Sequence, residues 1–153
     1  MKTFNFDEQL KVGDKGEKDF ITVHQNDGPV KSKDLKYDFI LSNGKRVELK
    51  TDTYNVNATP NFFIEILGNT NSGQLGGPWR ALADGIDYFV YYYMTNGIFF
   101  WFETQKLCTK LSEIIATLNL IPKEIKNTSW STRGYLIRRE LLEDILLKVT
   151  QKE

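Results

Sequence analysis

Residues Tyr37 to Asp52 read YDFILSNGKRVELKTD: two β-forming arms around a glycine-bearing polar turn, with Asp38, Glu48 and Lys50 set among apolar side chains. How the arms pair decides which side chains share a face. A two-residue Asn43-Gly44 turn would set Phe39 against Glu48 and Asp38 against Leu49, mixing charge and apolar surface on each face. A three-residue loop, Ser42-Asn43-Gly44, with Gly44 left-handed in a bulged type I turn, places Leu41 opposite Lys45 instead. Phe39 then faces Val47, Tyr37 faces Leu49, and Asp38 lies across from Glu48. Period-2 alternation sorts Tyr37, Phe39, Leu41, Val47 and Leu49 onto a face that can pack on a helix. Asp38, Glu48 and Lys50 share the other.

Two carboxylates opposed across a strand pair repel by roughly 0.2–1 kcal/mol even when exposed. A divalent cation reverses that sign, because hard Mg²⁺ or Mn²⁺ takes one or two carboxylate oxygens together with water and substrate phosphate. Lys50, two residues along the same face, can reach an attacking water or phosphoryl oxygens. The chemistry that suits this trio is metal-assisted phosphodiester hydrolysis.

Upstream, Asp14-Lys15-Gly16-Glu17 has the form of a capping box, with Asp14 as N-cap of a helix running toward Ile21. If the helix starts earlier, Leu10, Gly13, Glu17 and Phe20 fall on one face. Downstream, Asn61 to Leu67 reads as a mostly buried strand interrupted by Glu65, and the glycine-rich loop 68–77 leads to Pro78 at the start of a short helix. YFVYYYM and IFFWFE, joined through Thr95-Asn96-Gly97, form a hairpin. Leu107, Leu111, Ile114, Ile115 and Leu118 repeat as a helix that ends before Pro122. WSTRGYLIRR, from Trp130, reads as one more strand or an extended segment, and Leu141, Leu142, Ile145, Leu146 and Val149 as a final amphipathic helix. This order gives an α/β fold with a mixed β-sheet flanked by helices.

At 153 residues the chain is the size of one domain, 1–153, able to bury roughly 70% of its unfolded surface. No apolar run approaches the ~20 residues of a membrane span, and the charged N-terminus does not read as a signal peptide. One cysteine, Cys108, permits neither an internal disulfide nor a thiolate zinc site, which suits a cytoplasmic protein. The single histidine, His24, rules out two-histidine metal motifs, would have to carry any serine or cysteine triad alone, and leaves most hydrolytic chemistry to carboxylates, lysine and a hard metal. Twenty basic and twenty acidic residues cancel, so any nucleic-acid contact must come from a local patch.

On these residues the chain resembles the PD-(D/E)XK nuclease superfamily. Asp38, then nine residues, then Glu48-Leu49-Lys50 match its Asp-(x)n-(Asp/Glu)-x-Lys signature, with Tyr37 where the name-giving proline would stand. The resemblance implies a restriction-endonuclease-like core. It also implies an endodeoxyribonuclease dependent on Mg²⁺, with Mn²⁺ as substitute, of the kind found as small phage- or mobile-element-type endonucleases and junction resolvases. Asp38 and Glu48 would be metal ligands together with the Leu49 carbonyl, Lys50 would act in catalysis, and Glu17 matches the first-helix glutamate that often adds to the metal site. The rival class is a non-catalytic nucleic-acid-binding or partner-binding domain on the same fold.

Several further residues have two readings each. Glu17 is a cap or a site residue, and Glu65 faces either the same cleft or solvent. Asp52 is expected to cap a turn. Lys45, Arg46, Trp79 and Arg80 are candidates for contacts to the DNA backbone, against the reading of ordinary surface charge. The Tyr91–Tyr93 run is expected to pack within its strand. Cutting both strands of a duplex needs two sites, which a homodimer joined through the aromatic strand IFFWF would supply.

Overall fold

The structure, a computed structural model, describes residues 6–34, 36–126 and 131–153. The opening hairpin takes the bulged register. Strands β2 (Phe39–Ile40) and β3 (Arg46–Asp52) run antiparallel with Phe39 opposite Val47 and Ile40 opposite Arg46. The Leu41 N–H donates to the Lys45 carbonyl and the Gly44 N–H to the Leu41 carbonyl, each at 2.9 Å. Gly44 has φ +83°, which a side chain would resist and glycine does not.

This hairpin lies inside a six-stranded mixed sheet. With β1 (Val30–Lys31), β6 (Tyr88–Tyr93), β7 (Ile98–Glu103) and β10 (Leu146–Gln151), the strand order is β1-β2-β3-β6-β7-β10. The β3–β6 pair is parallel, so the chain between them must cross over, and it does so through a second layer. That layer holds β4 (Asn61–Asn69), β5 (Gln74–Leu75) and the short helix α2 (Gly77–Ala83). Strands β8 (Lys123–Lys126) and β9 (Ser131–Arg138) join β4 and β5 in a four-stranded antiparallel sheet, β5-β4-β9-β8.

Alternation along β6 divides the core. Val90 and Tyr92 pack with Phe39, Val47, Phe99 and Trp101 beneath Phe20 of α1 (Phe6–Val23). Phe89, Tyr91 and Tyr93 point the other way, toward Phe62, Ile64 and Ile137 of the second sheet and Leu107 and Leu111 of α3 (Thr104–Leu118). Burying Phe20 completely is worth roughly 1.5–3 kcal/mol and holds α1 on its face. A Cβ at Gly16 would overlap the Thr51 side chain, so glycine is what lets α1 lie this close to β3. Tyr91, Tyr92 and Tyr93 are all buried, as their strand reading requires.

Five expectations need correction or narrowing. Asp14 lies in the middle of α1 and caps nothing, because the helix begins eight residues earlier at Phe6 and runs through the capping-box motif. The 61–67 strand leaves the main sheet for the second one. Tyr37 precedes β2, escapes its alternation, and packs toward the α3 side, where the Arg46 guanidinium sits 5.0 Å from its ring. The C-terminal segment is a 3₁₀ stretch (Arg139–Ile145) followed by strand β10, not an α-helix. Pairing with β7 overrides its helical periodicity, and Thr150 fits there by accepting from the Trp101 indole N–H at 3.0 Å. Finally, β7 is interior, between β6 and β10, with Phe99, Trp101 and Phe102 in the core, so this strand offers no dimer surface. The 131–138 strand forms as expected, while Trp130 lies outside the described residues. Among the described residues no helix is long and apolar enough to cross a membrane.

Candidate active site

Asp38 stands just before β2, its N–H donating to the Val47 carbonyl at 3.0 Å. Its carboxylate turns across to β3, where Oδ2 accepts the Leu49 N–H at 2.7 Å. This bond is possible because the β2 ladder stops at Phe39, leaving the Leu49 amide edge free for a side chain. The N–H and C=O of one strand residue point to the same edge, so the Leu49 carbonyl is also directed to the Asp38 side.

Glu48 lies opposite Phe89 in the parallel β3–β6 ladder, and its side chain points into the layer between the sheets. Burial, then a hydrogen bond and charge from Asp38, push its carboxyl up to about 10. Arg80 on α2 opposes that rise and Asp84 adds to it. Burial and the neighbouring Asp38 therefore hold Glu48 toward its protonated form at neutral pH.

Lys50 follows on the same face and donates to Glu65 Oε1 of β4 at 3.0 Å, an ion pair that bridges the two sheets. Glu65, and more weakly Asp52, hold the ammonium above the usual lysine range against the opposing effect of burial. The Lys50 ammonium is thus held in its charged form. Asp52 accepts the Tyr54 N–H at 2.8 Å, the expected turn cap, and also the Tyr91 hydroxyl. The same Tyr91 oxygen accepts the Phe63 N–H at 3.1 Å, which fixes the edge of β4 against the main sheet.

The glycine-rich loop makes Glu65 reachable. Gly77 has φ +58°, and a Cβ there would overlap the Glu65 carbonyl. A Cβ at Gly76 would lie 3.1 Å from Glu65 Oε2 and 2.8 Å from the Gly68 nitrogen. These two residues let α2 start against β4, beside a bulge between Glu65 and Leu67 that releases β4 from regular pairing with β9.

The structure therefore holds two pairs at neighbouring positions on one face of β3, Asp38 with Glu48 and Lys50 with Glu65. Glu17 does not join them: it pairs with Lys31, which lies opposite Phe39 on the α1 side of the sheet. Among the proposed backbone contacts, Lys45 lies 4.0 Å from Asp87, Arg80 lies 3.6 Å from Asp84, and Arg46 covers Tyr37. Trp79 packs partly into the core. Asp84 and Tyr91 carry no signal in the sequence, since α2 and β6 reach the site only through the crossover. His24 is buried away from it, bonded to the Phe20 carbonyl and Thr150.

Among the described residues no group of three or more His, Cys, Asp or Glu side chains converges as a metal cluster. The donors at hand are two carboxylates and a backbone carbonyl, a hard oxygen set that fits Mg²⁺, which keeps several waters and binds through one or two carboxylates. No protein-family model matches the chain, and no curated protein matches it in sequence.

Proposed function

We propose that the chain is a divalent-metal-dependent endonuclease of restriction-endonuclease-like type, hydrolysing DNA phosphodiester bonds at Asp38, Glu48 and Lys50. The observation that carries this reading is the acid pair itself. Two carboxyls held against each other with Glu48 pushed toward its protonated form, and the charged Lys50 two residues along the same face, are unfavourable for stability alone. They suit a site in which a cation replaces the proton.

Asp38, Glu48 and the Leu49 carbonyl would hold Mg²⁺ or Mn²⁺. When bound, the ion acidifies a water and offsets charge growing on the phosphoryl oxygens. Asp38 is pre-oriented by the Leu49 N–H, so little ordering remains for cation binding. Lys50 supplies positive charge toward the phosphoryl group, and Glu65 positions it and keeps it protonated. Arg80, whose charge reaches Glu48, would meet a flanking phosphate.

A panel of single-stranded, duplex, flap and four-way-junction DNA, with RNA alongside, tests this with Mg²⁺, Mn²⁺ or EDTA. Cleavage that needs metal and disappears in folded Asp38→Ala, Glu48→Ala and Lys50→Ala is the expected result. Activity surviving all three changes would refute the assigned site. Binding without cleavage of any substrate would point to the non-catalytic domain.

A further inference from the structure

Beyond the catalytic pair, the four-stranded sheet turns one face away from both hydrophobic cores. Alternation along β4 puts Asn61, Phe63 and Glu65 on that face, and the β4–β9 register sets Phe63 opposite Leu136, Glu65 opposite Gly134 and Asn61 opposite Arg138. The β8–β9 register continues the rows to Lys123 opposite Gly134, and Ile121 lies two residues ahead of β8. Phe63 and Leu136 belong to neither core. Leu136 is 39% exposed and Ile121 84%. A Cβ at Gly134 would lie 2.7 Å from the tip of the Phe63 ring, so the absence of a side chain there lets that ring lie over β9.

We infer that this face binds a single strand of nucleic acid and feeds it to the Lys50–Glu65 end of the site. The inference rests on the nuclease reading for the strand's destination, not for its binding. Three features choose this occupant. The exposed Leu136 beside the partly buried Phe63 ring suits base stacking, which tolerates any sequence because every base has a π-face. Cationic side chains flank that pair, Arg138 on one side and Lys123 on the other, as phosphates on either side of stacked bases require. The face is also continuous with the proposed site, since Glu65 shares it and grips Lys50 at 3.0 Å. Its acids do not block the path: Glu65 is taken by Lys50, and Glu140 holds Arg138 only through an exposed pair at 2.8 Å that a phosphate can replace.

Fluorescence anisotropy with labelled oligo(dT) and oligo(U) of ~16 nucleotides, a length that one such platform can cover, tests it in EDTA, where no cleavage intervenes. The wild-type protein is expected to bind at least one of the two, the pair deciding which sugar is preferred. Phe63→Ala should weaken binding by roughly tenfold or more, while Phe63→Tyr should not. Arg138→Glu and Lys123→Glu, both at exposed positions, should weaken it and flatten its salt dependence, by ~0.7 in log–log slope for each phosphate no longer neutralised. These two carry the test even if Phe63→Ala fails to fold. Wild-type protein indifferent to both oligonucleotides would overturn the inference and mark the apolar row as a surface for a protein. So would charge reversals that bind like wild type, and either result would leave metal-dependent cleavage standing. Conversely, binding retained in Asp38→Ala and lost in the face variants, with no cleavage by any form, would sink the nuclease and leave the platform.

Discussion

Cation binding at the Asp38–Glu48 pair should expel a proton. The Glu48 carboxyl titrates near 10, about three units above neutral pH, so roughly one molecule in a thousand has it ionised at pH 7. A cation needs it ionised, which lowers the apparent affinity at pH 7 by ~1,000-fold, or about 4 kcal/mol, relative to the fully ionised site. Affinity should then rise about tenfold per pH unit between pH 7 and 9. Isothermal titration of Mg²⁺ or Mn²⁺ in two buffers of different ionisation enthalpy measures the proton directly. The slope of heat against buffer enthalpy should correspond to about one proton released per ion. Glu48→Gln should bind more weakly and release none. Heats independent of buffer, with affinity flat from pH 7 to 9, would refute a Glu48 that must lose its proton to bind the cation.

The same group sets a stability trend. With its folded-state value raised above its unfolded one, its contribution is complete below the carboxylate range and is lost as pH rises toward about 10, by up to about 1.4 kcal/mol per unit. Denaturant unfolding of wild type and Glu48→Gln across that window should differ in slope, and parallel curves would count against it. His24 acts in the opposite sense: burial lowers its affinity for a proton, so its contribution is full above 6.5 and fades on acidification. His24→Gln should lose less stability than wild type between pH 7.5 and 5.5, and an equal loss would argue against this role. Glu65→Gln removes the charge that keeps Lys50 protonated, so the alkaline limb of the cleavage profile should move to lower pH. Its stability cost should stay near 1 kcal/mol or less, because both partners are partly exposed; an unmoved limb would show that Lys50 is held by something else. Gly77→Ala meets both a positive φ and the Glu65 carbonyl and should cost ~2 kcal/mol or more, whereas Gly44→Ala, with open space around it, should cost only the backbone term of ~1–2 kcal/mol. Equal losses at the two glycines would mean that α2 can shift away from β4.

The hairpin is legible in the sequence because a single glycine and strict alternation leave only one register that separates charge from apolar surface. Asp38, Glu48 and Lys50 can be grouped for the same reason. Glu65 is visible there only as an acid inside an apolar strand, since its meeting with Lys50 depends on β4 leaving the main sheet. The parallel β3–β6 pairing forces that departure, and nothing local in the 61–69 segment encodes it. The place of Glu17 is decided in a related way: helical spacing puts it near the apolar stripe, and the choice of sheet face belongs to α1 packing on Phe39 and Val47. At the C-terminus, leucines at helical spacing conceal a strand whose pairing with β7 is decided by long-range contacts.

A crystal grown with Mn²⁺ and measured at the manganese edge examines the Asp38–Glu48 pair most directly. The expected result is an anomalous peak between the two carboxylates, at roughly 2.1 Å from their oxygens as a hard octahedral ion requires. A map without a peak there, at a Mn²⁺ concentration that supports cleavage in solution, would contradict the assignment.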